Sequence, residues 1–292
     1  GGTGAQTTLV DSNTIRNINL SGTALSMFMG IRVKTGLVDI TNNVIGDLSA
    51  TMSSPSILVA GSGTPNYTND NVQVFGIWNY STDASTISGN IVAGIRSTAP
   101  YMSESGHAYL TGIRRGAREY GTNALNVYAG KSIIRGNTVA NLFTESSLSN
   151  VNMNGKYQDR VWPAALSGIA LRSNYGSDNR VDSNTVYNLF ANATWNRWVR
   201  VNGIALNAET SSDAGIVSKN RVYDLNNHNG GVFGAEVYTP SISGITIGGA
   251  DLVGISSYVA NGSYTLVNNM IHLAPEVHPT KAYNNPDTYG IL

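Results

Sequence analysis

An aliphatic residue, an Asn three places later, a second aliphatic two further on and a third three beyond that recur seven times along this chain. The sets are Val10/Asn13/Ile15/Ile18, Ile40/Asn43/Ile45/Leu48, Ile87/Asn90/Val92/Ile95, Ile134/Asn137/Val139/Leu142, Val181/Asn184/Val186/Leu189, Val217/Asn220/Val222/Leu225 and, less regularly, Leu266/Asn269/Ile271/Ala274. Successive asparagines stand 30, 47, 47, 47, 36 and 49 residues apart. A Gly-Ile pair marks a second run in each repeat, at Gly30-Ile31, Gly76-Ile77, Gly112-Ile113, Gly168-Ile169, Gly203-Ile204, Gly254-Ile255 and Gly290-Ile291. Both runs are too short for helices. They are rich in β-branched residues, alternate with polar ones and are bounded by Gly, Asn, Asp and Ser, which predicts strands.

Self-similarity on this scale predicts stacked repeats. Short strands in a fixed cyclic order, joined by tight corners, describe an all-β, right-handed parallel β-helix: one domain over residues 1–292, of about seven turns. The hand is taken from precedent rather than from any residue. Each turn climbs about 4.8 Å, so the rod is on the order of 34 Å long. The aliphatic positions point inward and stack on their equivalents above and below. The seven asparagines are expected to hold the corners, since Asn tolerates φ > 0. Their amides are expected to form a ladder along the rod. A second polar point four residues on (Asn17, Asp47, Gly94, Asn141, Asn188, Asp224) reads as the next corner.

Length varies most between each Asn and the following Gly-Ile, from 17 to 34 residues, so the variable loops are expected on one face. The longer ones are Ser49–Gln73, Arg96–Tyr109, Thr144–Ala165, Ala191–Arg200, Asn226–Asp251 and Pro275–Asp287. They carry Trp162, Trp195 and Trp198, which are candidate ligand contacts. A second candidate surface is the outward stripe on the Gly-Ile strands, where Trp78, Tyr80, Arg114 and Arg172 could stack on sugar rings or pair with acidic groups. A bland reading competes with it, since aromatic and long side chains suit exposed sheet positions.

Charged residues make up 12% of the chain and the formal net charge is zero, which leaves no electrostatic footprint for nucleic acid or an anionic membrane. No apolar stretch reaches the length of a membrane span. Cysteine is absent, which removes disulfides, thiolate metal sites and thiol nucleophiles. No cofactor is expected, and Ca²⁺ at loop carboxylates such as Asp70 or Asp83 has no motif behind it. Asn66, Asn79, Asn192 and Asn261 begin glycosylation sequons. Tyr289-Gly290-Ile291-Leu292 opens another Gly-Ile strand, from which the native chain is expected to continue.

Ser12–Thr23 followed by Phe28–Ile31, and Asp182–Phe190 followed by Val201–Ile204, resemble β-helical repeats of large secreted surface proteins of Bacteroidota. Proteins of that kind are exported by the type IX secretion system through a separate C-terminal sorting domain, which is not visible here. The resemblance implies an extracellular or cell-surface location and a structural or adhesive role. It implies no particular ligand.

Parallel β-helices also carry polysaccharide lyases and glycoside hydrolases, so an enzyme is the first rival. Such chemistry needs convergent carboxylates or acidic metal ligands with a basic residue. The nearest groupings are His107, Arg114, Arg115, Arg118 and Glu119, and Lys156, Asp159 and Arg160, neither of which forms a motif. The second rival is a filament or appendage subunit, self-associating through the rod ends or the loop face. The expected function is a non-catalytic rod displaying loops that bind carbohydrate or partner surfaces.

Overall fold

The computed structural model describes residues 6–22, 27–61, 72–98, 108–118, 126–145, 164–173, 176–192, 199–207, 213–227, 242–248, 262–273 and 288–291. Their strands form three parallel sheets that run the length of the molecule. Sheet A stacks Thr8–Asp11, Val38–Thr41, Ser85–Ser88, Ser132–Arg135, Gly176–Asp182, Asp213–Ser218 and Ser263–Val267. Sheet B begins with Thr14–Ile15 and Ile18–Gly22, then Val44–Gly46 and Ile57–Gly61. It continues through Ile91–Ser97, Thr138–Thr144, Thr185–Ala191, Arg221–Asn227 and Met270–His272. Sheet C stacks Phe28–Val33, Val72–Asn79, Ala108–Arg115, Ala164–Leu171, Val199–Asn207, Ile242–Gly248 and Thr288–Ile291. The chain visits A, B and C in turn seven times, each pass a coil paired to the next. This is a right-handed parallel β-helix, as the repeat predicts.

The interior is filled by aliphatic rows, for example Ile40/Ile87/Ile134/Val181/Val217 on sheet A and Ile77/Ile113/Ile169/Ile204/Ile245 on sheet C, all essentially closed to solvent. Burying one such side chain stabilises the fold by roughly 1.5–3 kcal/mol, but only because a like residue covers it from the next coil.

At the corner between sheets A and B the ladder runs unbroken. The Nδ2 of Asn13, Asn43, Asn90, Asn137, Asn184 and Asn220 each donates to Oδ1 of the next ladder asparagine at 2.8–3.0 Å. That same oxygen also accepts the backbone N–H of the preceding asparagine, as from Asn90 to Asn137 at 2.9 Å. The second amide hydrogen goes to a carbonyl one coil back, as from Asn137 to Ile87 at 2.9 Å. Every polar atom of an interior ladder side chain is therefore satisfied, which is why amides can be fully buried there.

The corner geometry differs from expectation in one respect. The left-handed residue is the one before each ladder asparagine: Ser12, Asn42, Gly89, Gly136, Ser183, Lys219 and Asn268, with φ between 51° and 65°. Placing the left-handed residue first turns the following side chain inward, where it meets its neighbours in the ladder. The second polar point is a kink inside sheet B rather than a break, with Asn17, Gly94, Asn141, Asn188 and Asp224 all at positive φ. In the second coil Gly46 takes that role (φ 83°), not Asp47. There the chain leaves the sheet and returns as Ile57–Gly61, so part of the presumed loop Ser49–Gln73 is a strand. Ile57, fully buried, fills the inner place expected for Leu48, which is 40% exposed. The excursion lies over sheet B, where Leu48 O accepts from Asn141 Nδ2 at 2.7 Å and Met52 O from Arg96 Nη1 at 3.0 Å.

The glycine of each Gly-Ile pair has a packing cause. A Cβ on Gly76, Gly112, Gly168 or Gly203 would stand 2.3 Å from a Cγ of Val92, Val139, Val186 or Val222, the inward valine of sheet B. The same test corrects the sixth pair. Gly244 abuts Ile271 in this way, and Ile245 pairs with Ile204 and Ile291. Gly244-Ile245, not Gly254-Ile255, thus belongs to the repeat, and the presumed loop Asn226–Asp251 contains a core strand. Residues 254–255 and Ala274 lie outside the described residues.

Two stability predictions follow from the corner. Asn137→Ala removes two donors and strands the two hydrogen-bond donors of Asn90, so it should cost about 2–4 kcal/mol in urea unfolding followed by circular dichroism. Asn13→Ala, at the open end, should cost less than about 1 kcal/mol in the same assay. Lys219 holds φ 56° without the local hydrogen bonding that eases Asn into this region. Lys219→Asn, matching Asn42 and Asn268, should raise stability by about 0.5–1 kcal/mol.

Candidate functional site

Polar and aromatic side chains gather most densely on sheet C, on the face turned away from the interior. Because the glycine interrupts the in–out alternation, two outward rows flank it. The row before the glycine runs Phe75, Thr111, Ser167, Asn202 and Ser243. The row after the isoleucine runs Arg32, Trp78, Arg114, Ala170, Ala205 and Thr246. Tyr80 and Arg172 follow two residues further along their strands.

The stripe of Trp78, Tyr80, Arg114 and Arg172 does face away from the interior, but it is not solvent-exposed. Trp78 is 1% exposed and Tyr80, Arg114 and Arg172 are no more than 5% exposed. Trp78 packs between Phe75 and Tyr80, with ring centroids 4.9 and 4.6 Å away, and its Nε1 donates to Gly116 O at 3.2 Å. Arg32 lies 5.3 Å from the Trp78 ring centroid and 5.4 Å from that of Tyr80, and donates to Tyr80 Oη at 2.9 Å. Arg114 lies over Phe75 and Arg172 over Tyr128. Pairing each cation with an aromatic face offsets part of the cost of withdrawing it from water. Arg32 alone of these cations is exposed, and it is the accessible end of the row. Trp162, Trp195 and Trp198 lie outside the described residues, so the structure neither joins them to this face nor separates them from it.

Two groups on this face were not singled out from the sequence. Thr111 Oγ1 and Ser167 Oγ sit on register-paired neighbours, are buried, and make no hydrogen bond. Leaving a buried hydroxyl unpaired costs about 1–3 kcal/mol each, so an external donor or acceptor reaching them would recover that energy. No sequence signal marks them, since Thr and Ser are common throughout the chain. Further along the row Ser243 Oγ donates to Asn202 Oδ1 at 2.7 Å, so the polar line continues with internal partners.

Arg115 lies on the opposite side of the strand from Arg114. It occupies an inward row with Asn79 and Leu171 and is fully buried. Its guanidinium donates to Asn79 Oδ1 at 2.9 Å, Ser81 O at 2.5 Å and Asp83 O, while Nε donates to Ser132 Oγ at 3.1 Å. Burial pushes it down to about 10, opposed by the charge of Asp83, so it remains a cation at neutral pH. The loose grouping with His107 and Arg118 therefore does not include a solvent-facing Arg115. It is a cross-brace for the corner between sheets C and A.

Asn79 belongs to the same brace, buried and bonded to Ser85 and Ser81, which removes its sequon from the candidates for glycosylation. Asp83 is a corner residue whose Oδ2 accepts from Gly36 N at 3.0 Å. Asp70 lies outside the described residues. Among the described residues no three His, Cys, Asp or Glu side chains gather as a metal site would require, and no helix is long and apolar enough to cross a membrane.

Compared with protein-family models, with curated proteins and with solved structures, the chain finds no match in any of the three.

Arg115→Met keeps the volume but strands the carbonyls of Ser81 and Asp83. It should cost about 3–5 kcal/mol in thermal unfolding, far more than Arg32→Met at the exposed end of the neighbouring row.

Proposed function

We propose that this chain is a non-catalytic β-helical rod of an extracellular or cell-surface protein, and that the outer face of sheet C and its bordering loops hold carbohydrate. The unpartnered Thr111 and Ser167 hydroxyls carry this reading, lying between the Arg32/Trp78/Tyr80 and Arg172/Tyr128 groups. Sugars offer what such a strip lacks: hydroxyls that both donate and accept, and C–H faces that pack on aromatic rings. The extracellular setting rests on the resemblance of the repeats to secreted surface proteins. The rod rests on the ladder and the aliphatic rows, which invest each coil's repeated residues in stacking.

Thr111→Val separates ligand contact from structural support, because Val keeps the shape and removes only the unpaired hydroxyl. The folded chain should become more stable by up to about 1 kcal/mol. Its retardation in affinity electrophoresis through polysaccharide gels should weaken several-fold. Equal retardation of the variant and the parent, or no retardation in any neutral or acidic polysaccharide, would remove the carbohydrate reading. Release of reducing ends or unsaturated sugars would replace the rod with an enzyme.

A further inference from the structure

The first and last coils carry unmet interactions that are complementary to each other. Each ladder asparagine from Asn13 to Asn220 donates its N–H and Nδ2 to the Oδ1 of the asparagine one coil on. At the last coil Asn269 has no such acceptor, and its Nδ2 reaches only Val217 O. At the first coil the Oδ1 of Asn13 has no such donor.

The backbone repeats the same asymmetry. Val44, Ile91, Thr138, Thr185, Arg221 and Met270 each donate N–H to the carbonyl of the ladder asparagine one coil back. Thr14, at the equivalent place in the first coil, has no coil behind it, and the carbonyl of Asn269 has none ahead. Likewise Asn43 Nδ2 donates to Val10 O, whereas Asn13 Nδ2 turns to Asp11 O in its own coil.

The apolar surface is distributed the same way. The exposed large hydrophobic side chains are Leu9, Met27, Leu48, Val267, Met270 and Ile291, and all but Leu48 lie on the first or last coil. The inward rows end in partly buried Val10, Ile15 and Ile18 at one end and Leu266, Ile271 and Leu273 at the other.

We propose that the last coil of one copy of this chain stacks on the first coil of a second copy, in the register the chain uses between its own coils. Asn269 N–H and Nδ2 then donate to the partner copy's Asn13 Oδ1, the partner copy's Thr14 N–H donates to Asn269 O, and Leu266 and Ile271 cover Val10 and Ile15. A second copy fits because the missing partners must come at ladder spacing with aliphatic rows on either side, and each end of this chain presents what the other lacks. The joint continues an interface that recurs six times within the molecule. It is heterologous, one end against the other, so addition does not close and the product is a filament. This inference rests on the fold alone, so the carbohydrate reading can fail without it.

The test uses sedimentation velocity of the 292-residue chain over a range of concentrations, with electron microscopy of the product. Concentration-dependent growth into thin rods is expected. Thr14 and Met270 are exposed and meet across the joint in the proposed register. The double variant Thr14→Lys/Met270→Lys should raise the concentration needed for assembly at least about tenfold, and Thr14→Lys/Met270→Glu should restore it. Both keep the internal bonds, which circular dichroism confirms. A chain that stays monomeric to about 100 µM overturns the proposal. So does assembly indifferent to both variants, which would place the contact on another face. Growth that fails with the like-charged pair and returns with the opposite pair supports it.

Discussion

The side-chain amide of asparagine has two donors on one atom and two lone pairs on another, and the architecture turns on using all four along a single line. A buried ladder of this kind has a direction, because each amide donates forward to the next oxygen. Only coils that keep the same hand, the same register and the same corner can extend it. The corner between sheets A and B accordingly keeps two residues in every coil, a left-handed residue and then Asn, whatever the total length of the coil. Insertions fall instead at the two ends of the sheet C strands and in the single excursion after Gly46, where no ladder has to be continued.

A second constraint sets the cross-section. The inward valine of sheet B occupies the space a side chain would take on the sheet C glycine, so the two sheets approach at a point where only backbone fits. The glycine in turn resets the alternation of the strand. This puts Thr111 and Arg114 on one face of sheet C while Leu110, Ile113 and Arg115 point to the other. Cations three and four positions from the same threonine thus meet unlike fates: one lies over Phe75, and the other braces a corner with backbone carbonyls.

Much of the fold was legible because the interactions that build it recur at equivalent places. The seven asparagines and the aliphatic rows repeat in residue type, and that repetition announces stacking without any knowledge of the contacts. Legibility fails where the chain offers two local matches. Gly244-Ile245 and Gly254-Ile255 are the same dipeptide, and only pairing with Val201–Asn207 and contact with Ile271 distinguish them. Leu48 and Ile57 both suit an inner row, but the turn at Gly46 carries Leu48 out over sheet B and leaves the place to Ile57. At the candidate site the aromatic and arginine positions were visible as a stripe, while the unpaired hydroxyls of Thr111 and Ser167 were not. A hydroxyl becomes distinctive only when its surroundings deny it a partner.

By itself the sequence determined the repeat, the parallel coil and the asparagine line, because those follow from periodicity and from hydrogen-bonding capacity that each residue carries wherever it sits. Only the tertiary structure decided which outward residues are closed to water, which of two adjacent arginines enters the interior, and which hydroxyls go without a bond. Those properties depend on what lies across a coil or a corner tens of residues away in the chain, and solvent access is a property of the packed assembly rather than of any residue in it.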